Sequence, residues 1–217
     1  MIIFISFLLF IVAVDFLIKN WHQSKEVNDS INELRQEVFE EINDSKESSN
    51  KDEKIINWNE LQSINKDIIA WIEIENTNIN YPILQDNENL NYLRKTYKGK
   101  YSENGSIFTI DNKPFENNMT TIYGHNMKNK LMFSELVKYM NTDFFSNHKN
   151  FKIYTPKKNY IATVIDCYLE KQNEDSKEFM KLDEKLIKLC TCSYSNSFAS
   201  RANERCNVIA TIKEIRE

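Results

Sequence analysis

The chain has 217 residues, of which 28% are charged and 41% hydrophobic, and its formal net charge is −4. A single core usually grows to about 150 to 250 residues, so one main domain with an extension fits this length better than two full domains. The weakly acidic charge argues against a nucleic-acid-binding protein, which usually has a basic surface, so we expect no nucleic-acid partner.

An apolar segment opens the chain. The first eighteen residues, MIIFISFLLFIVAVDFLI, are apolar except for Ser6 and Asp15. A membrane-spanning helix needs about 20 such residues, so we expect residues 1–19 to anchor the chain in a membrane. A cleavable signal peptide is the main alternative, but the segment lacks the basic start and the A-x-A-like site of such peptides. The lysines near the segment, Lys19 and Lys25, both follow it and give no support for an external C-terminal domain.

Residues 20–56 are expected to form an amphipathic helix and a linker. Over residues 24–43, apolar side chains recur at spacings of four and three with charges between them, namely Val27, Ile31, Leu34, Val38 and Ile42. The polar run DSKESSNKDEK at residues 44–54 is typical of a linker. Residues 57–217 are then expected to form the main domain, which starts with a short helix containing Trp58, Leu61 and Ile64.

From about residue 68, the sequence consists of short runs rich in β-branched and aromatic residues. Eight such runs are IIAWIEIE, NINYPIL, GSIFTID, TTIYGH, FKIYTP, NYIATVIDCYLE, KLIKLCTC and RCNVIATIKEI. Because little helix separates them, we predict a mainly β fold: a closed eight-stranded barrel with N-terminal helices and short inserted helices. One inserted helix is expected at residues 132–140, MFSELVKYM.

His125 is the histidine best placed for chemistry. It ends the apolar run TTIYGH directly after Gly124, which we expect to let the backbone turn sharply and leave the imidazole at a strand end. Taken alone, a single histidine is more often structural than catalytic. His22 is expected to be an interfacial polar residue beyond the apolar segment, and His148 a solvated loop residue.

Among the four cysteines, Cys192 has the most reactive position. It closes the run KLIKLCTC and precedes the polar stretch SYSNS, so the thiol is expected at a strand end. Reactive thiols occupy partly exposed, electropositive sites, whereas inert thiols are buried in apolar strands. Cys167 and Cys206 lie inside strand runs and are expected in the core. Cys190 shares the strand parity of Cys192 and either lines a groove or fills the core.

Arg205 opens the last predicted strand. If this strand and the one ending at Cys192 form an antiparallel hairpin, the two residues are neighbours. A guanidinium beside a thiol favours the thiolate and can stabilise a developing oxyanion. The alternative is a surface arginine paired with Glu204 or another acid.

Together, these motifs resemble the sortases, and class B sortases most closely. The family pattern T-L-x-T-C is met at residues 188–192, with Lys188 in place of the first threonine. The class B sequence Y-G-H-N-M is matched letter for letter at residues 123–127. The family's arginine corresponds to Arg205, which precedes an apolar run, whereas Arg201 lies in the polar loop. The resemblance spans about residues 57–215.

This resemblance implies a sortase-type barrel in which Cys192 is the nucleophile, His125 the proton donor and acceptor, and Arg205 the oxyanion or substrate ligand. The substrates implied are a C-terminal sorting signal on a secreted protein and an amine of a peptidoglycan precursor, with no cofactor or metal. The enzyme would cross the cell membrane once, with its catalytic domain outside, as on a Gram-positive-type cell surface. The residues expected to line the substrate groove are Asn89, Leu93, Leu189, Cys190 and Thr191.

Other interpretations remain open at this stage. The same residues suit a cysteine peptidase that releases its product to water, or a sortase that polymerises pilin-like subunits. A membrane-anchored binding domain without activity is a further alternative. A zinc site built from Cys190, Cys192 and His125 is disfavoured because no second close-spaced ligand pair is present. The connection at residues 171–187 is shorter than class B sortases usually have, which bears on peptide specificity.

Overall fold

The structure is a computed structural model that describes residues 2–40, 55–87, 90–171, 184–193 and 204–215. The chain divides into two compact units, Met1–Ile55 and Ile56–Glu217.

In the first unit, the described residues form one α-helix, α1 (Ile2–Glu40). This helix includes both the expected anchor and most of the expected amphipathic helix without a break between them. By length and composition it is apolar enough to cross a membrane, which is weak support for an anchor. The end of the amphipathic pattern and the expected linker lie outside the described residues.

The described part of the second unit holds short helices that begin at asparagine caps. Helix α2 (Trp58–Ile64) starts after Asn57, whose side chain accepts a hydrogen bond from the Glu60 amide. Helix α3 (Thr142–Asn147) starts after Asn141 in the same way. The insertion expected at residues 132–140 is a 3-10 helix, Ser134–Met140. Two of these helices were not predicted from the sequence. They are α3 and a second 3-10 helix, Asn91–Leu93.

Eight strands close into a barrel within the residues that the structure describes. They are β1 (Ile68–Glu73), β2 (Asn80–Gln85), β3 (Ile107–Thr109), β4 (Met119–Tyr123), β5 (Asn150–Tyr154), β6 (Asn159–Lys171), β7 (Leu186–Ser193) and β8 (Glu204–Glu214). Their order around the barrel is β1-β2-β3-β4-β7-β8-β6-β5. The pairs β2/β3 and β4/β7 are parallel, and the remaining pairs are antiparallel. This confirms the predicted mainly β fold and the closed eight-stranded barrel.

Alternation along the strands separates the interior of the barrel from its outer face. Ile122, Leu189 and Val208 lie in register on β4, β7 and β8, and each is 0% exposed. They belong to the interior core. Their chain neighbours point the other way and form what we call the outer face, namely Tyr123, Cys190 and Asn207.

The 3-10 helix after β4 packs against the start of β8. The Leu136 carbonyl oxygen lies 3.9 Å from the Cys206 sulfur, and both side chains are buried. Before this helix, the Phe133 amide donates to the His125 carbonyl at 2.9 Å. The segment that follows β4 is therefore folded back, which holds the backbone of His125 at this end of the barrel.

Candidate active site

The strand register makes Cys192 and Arg205 neighbours. β7 and β8 form the predicted antiparallel hairpin, in which Cys192 lies directly opposite Arg205. Directly opposed residues have Cβ atoms about 4.5 to 5.5 Å apart. The Arg205 side chain is exposed. A cation is therefore available next to the position of the predicted nucleophile, although the catalytic role of both residues stays a prediction.

The parallel pair β4/β7 brings His125 to the same end of the barrel. Tyr123 lies opposite Cys190, and the Gly124 amide donates to the Cys190 carbonyl at 3.2 Å. His125 comes two residues after Tyr123, just as Cys192 comes two residues after Cys190. The backbones of His125, Cys192 and Arg205 therefore meet at one edge of three adjacent strands.

A backbone hydrogen bond orients the His125 ring. Its Nε2 lies 2.8 Å from the Leu93 carbonyl oxygen. A carbonyl oxygen only accepts, so Nε2 carries a proton and Nδ1 is the atom that gains or loses the second one. The sequence predicts Leu93 as a groove residue, and the structure adds that its main chain holds the candidate acid–base group.

Gly105 allows this arrangement because it has no side chain. Its φ is +60°, and a Cβ added there would lie 2.6 Å from the Leu93 oxygen and 3.1 Å from Cδ2 of His125. Both the backbone conformation and the close approach favour glycine. Sequence reasoning did not assign Gly105 to the site, although the scarcity of glycine, with three residues, already marks such positions.

Gly124 has a different role from the one expected. It does not adopt the left-handed conformation, since the glycines with positive φ are Gly99 and Gly105. Instead, a Cβ at Gly124 would lie 2.5 Å from Cδ1 of Ile107 and 2.7 Å from Cγ of Phe133. The glycine before His125 is thus required by close packing rather than by a sharp turn.

The surroundings of His125 disfavour its charged form. Burial lowers the pKa of His125 below its ordinary value, the hydrogen bond to the Leu93 carbonyl opposes this, and the nearby Arg94 guanidinium lowers the pKa further. Arg94 itself forms an ion pair with Glu103. The neutral imidazole therefore predominates at neutral pH.

Two other cysteines form a contact between β6 and β8. The sulfur atoms of Cys167 and Cys206 are 3.9 Å apart, and Cys206 is fully buried. The hydrogen bond between the two thiols raises the pKa of Cys206 and lowers the pKa of Cys167. Burial raises the pKa of Cys206 further. The core position expected for Cys206 is confirmed, whereas Cys167 is half-buried, with its sulfur 3.3 Å from the Met140 sulfur.

The predicted groove residues occupy different environments. Asn89 lies outside the described residues. The side chain of Leu93 is exposed, Leu189 and Thr191 are buried, and Cys190 is buried on the outer face. Contact of these residues with a substrate stays a prediction.

The sequence predicted that His148 is a solvated loop residue, and this prediction is wrong. It caps the end of α3, with Nδ1 3.0 Å from the Phe144 carbonyl oxygen and its ring stacked on Phe144 at 4.1 Å. Within the described residues, no group of three or more His, Cys, Asp or Glu side chains is arranged to hold a metal ion.

The chain is similar to known proteins in both sequence and fold. A sequence model described as the sortase domain matches residues 72–213. Sortase B of Listeria monocytogenes is 40% identical over 111 residues, and Sortase B of Staphylococcus aureus is 33% identical over 110 residues. Each alignment covers 50% of this chain and 45% of the relative, so the chain matches about half the length of these curated relatives.

Solved structures of sortase B proteins share the fold. The Staphylococcus aureus sortase B–substrate complex has a TM-score of 0.73 and 21% identity, over 90% of this chain and 100% of that chain. Sortase B from Bacillus anthracis in complex with AAEK1 has a TM-score of 0.71 and 25% identity, over 90% and 100% of the two chains. At 21% identity, the likeness to the Staphylococcus aureus complex concerns the fold alone. Because the sortase-domain match covers more than half of the chain, this protein belongs to the sortase family.

Proposed function

We propose that this protein is a cysteine transpeptidase that joins secreted proteins to the cell wall. It cleaves a C-terminal sorting signal through a thioester on Cys192 and transfers the acyl group to an amine of a peptidoglycan precursor. The observation that carries this proposal is the register that sets Cys192 opposite Arg205, at the barrel end where His125 is fixed by Leu93. Membership of the sortase family supports it.

The proposed chemistry has two halves. In the first, the Cys192 thiolate attacks the scissile carbonyl, and the carbon–nitrogen bond breaks as His125 gives a proton to the leaving amine. In the second, the acceptor amine attacks the thioester, returns a proton to His125 and releases the thiolate. Arg205 donates hydrogen bonds to the oxyanion that forms in each half.

Nδ1 is the atom of His125 proposed to carry the transferred proton, because Nε2 is engaged with the Leu93 carbonyl. The lowered pKa of His125 means that the form with both thiolate and imidazolium is a minor one at neutral pH. This makes the imidazolium a stronger acid toward the leaving amine, which offsets its lower population.

We also propose that residues 1–19 cross the cell membrane once, that residues 20–56 form a helix and linker, and that the catalytic barrel of residues 57–217 lies outside the cell. The apolar character of α1 supports the anchor, and the compact unit that starts at Ile56 supports the boundary. An anchor keeps the enzyme beside the emerging substrate and a lipid-linked acceptor.

A peptide assay tests the proposed reaction. Full-length enzyme in detergent is incubated with a library of sorting-signal peptides and an amine acceptor, and products are read by mass spectrometry. We expect an amide with the added amine and a thioester on Cys192, both lost in Cys192→Ala but retained in Cys167→Ala. Hydrolysis without amine transfer would instead identify a peptidase, and the absence of any thioester would indicate a binding domain.

A further inference from the structure

A buried ion pair lies on the outer face of the barrel beside the candidate active site. Lys188 Nζ on β7 is 3.5 Å from Glu170 Oε2 on β6, and their side chains are 13% and 10% exposed. Asn207, on the intervening strand β8, donates from Nδ2 to the same oxygen at 3.1 Å. The other carboxylate oxygen, Oε1, is buried and has no hydrogen-bond partner in the part of the chain that the structure describes.

The register places this carboxylate next to Arg205. Glu170 is directly opposite Arg205 in the β6/β8 pair, and Arg205 is directly opposite Cys192 in the β7/β8 pair. Such opposed residues are within reach of each other, and opposite charges attract more strongly where water is excluded. Glu170 is therefore a competitor for the guanidinium that the proposed reaction needs at Cys192.

Lys188 changes the outcome of this competition. In this chain, the lysine ammonium balances the Glu170 carboxylate from the β7 side, while the Arg205 side chain is exposed. The attraction between Glu170 and Arg205 is reduced accordingly.

We propose that Lys188 is a positioning residue: by pairing with Glu170, it keeps the Arg205 guanidinium available for the oxyanion formed at Cys192. The inference rests on the proposed function. Without Lys188, the spare oxygen of Glu170 draws Arg205 away from the nucleophile, which weakens both oxyanion binding and stabilisation of the thiolate.

A double-mutant cycle tests the proposal. Lys188→Met, Glu170→Gln and the double variant are compared with the wild type for kcat and KM with one peptide and one amine. Removal of an oxyanion donor costs about 100- to 1000-fold in rate, so a partial displacement of Arg205 in Lys188→Met is expected to lower kcat by about 10-fold. KM should stay within about twofold, and the double variant should return to within about threefold of the wild type.

Lys213→Met is the matched control. Lys213 and Glu184 form another pair of the same 3.5 Å length, but their side chains are 74% and 46% exposed. Breaking this pair should leave kcat unchanged. A purely structural role for Lys188 would lower the melting temperature without the kcat effect, so melting is measured for every variant.

A second measurement does not depend on transpeptidation. The alkylation rate of Cys192, resolved from the other cysteines by peptide mapping, reports how readily its thiolate forms. At neutral pH it should fall several-fold in Lys188→Met and recover in the double variant. Equal alkylation rates in the wild type, Lys188→Met and the double variant would overturn the proposal. A double variant with turnover as slow as that of Lys188→Met would also overturn it. If the alkylation rate falls in Lys188→Met and recovers in the double variant, but no protein transfers the acyl group to an amine, the result would count against the proposed function and not against the role of Lys188.

Discussion

At the scale of single residues, the ionisation of His125 links structure to pH dependence. Its pKa in the folded protein is lowered from an ordinary value near 6.5. Below that value the unfolded chain binds the proton more readily than the folded one. The stability associated with neutral His125 is therefore complete above pH 6.5 and is lost as pH falls toward the folded pKa.

Arg94→Ala should raise the pKa of His125, because it removes a nearby cation that disfavours imidazolium. The change is measured by following the His125 ring protons by NMR as pH is varied. The acid side of the stability profile should flatten in the same variant. Lys95→Ala is the control, since this neighbouring cation contacts Asn91 and does not contribute to the His125 shift. An unchanged His125 titration in Arg94→Ala would contradict the electrostatic assignment.

The sequence predicts the three residues of the proposed site, because Cys192, His125 and Arg205 each lie at a strand end or a strand start. The sequence does not identify the groups that surround these three residues. The Leu93 carbonyl is a backbone group, and the Glu170–Lys188 pair joins side chains on strands that are not adjacent. Contacts of this kind depend on register across the barrel, which no local pattern in one strand contains.

At the scale of elements, the strands and their closure were predictable from alternating apolar runs, whereas the type of the inserted helix was not. Residues 134–140 form a 3-10 helix, and Leu136 of this helix packs against Cys206 at the start of β8. Tertiary packing of this kind overrides local propensity. The backbone at Gly105 is also closely packed, because a Cβ there would lie 2.6 Å from the Leu93 carbonyl oxygen.

Gly105→Ala should reduce turnover by about 100-fold, since displacement of a catalytic group by about 1 Å can have an effect of that size. The methyl group would push the Leu93 carbonyl, which would release or tilt His125. Turnover and the His125 titration are measured together. Gly99→Ala is the matched control: its φ is +77°, so it bears similar backbone strain, but a Cβ there meets nothing within 4 Å. Equal losses in the two variants would show that strain, not contact, is responsible.

At the scale of the whole molecule, the chain combines an apolar helix with a compact barrel. Composition alone indicated both parts, since the apolar run and the β-rich runs occupy separate stretches of sequence. It did not indicate that one helix continues from the apolar segment to Glu40. No proline or glycine, the residues that most disfavour a helix interior, interrupts this stretch, which is consistent with the continuity.

Leu8→Arg combined with Val12→Arg should move the full-length protein out of the membrane fraction after an alkaline wash. Each arginine near the middle of a membrane helix costs about 2.5 to 3.5 kcal/mol. Glu33→Arg with Glu37→Arg, placed in the same helix beyond the apolar segment, should leave the protein in the membrane fraction. Retention of the Leu8 and Val12 double variant in membranes would argue against the proposed anchor.

The parallel pairing of β4 with β7 has a consequence for how the proposed active site forms. His125 and Cys192 are distant in sequence, and their strands meet only after β5 and β6 have been laid down between them along the chain. Pairings of this kind form late, because a long loop has to close before any contact offsets the lost entropy. If Cys192 is the nucleophile, as proposed, its thiol is not activated in the nascent chain, and we expect reactivity toward peptides to arise in a single step with completion of the barrel.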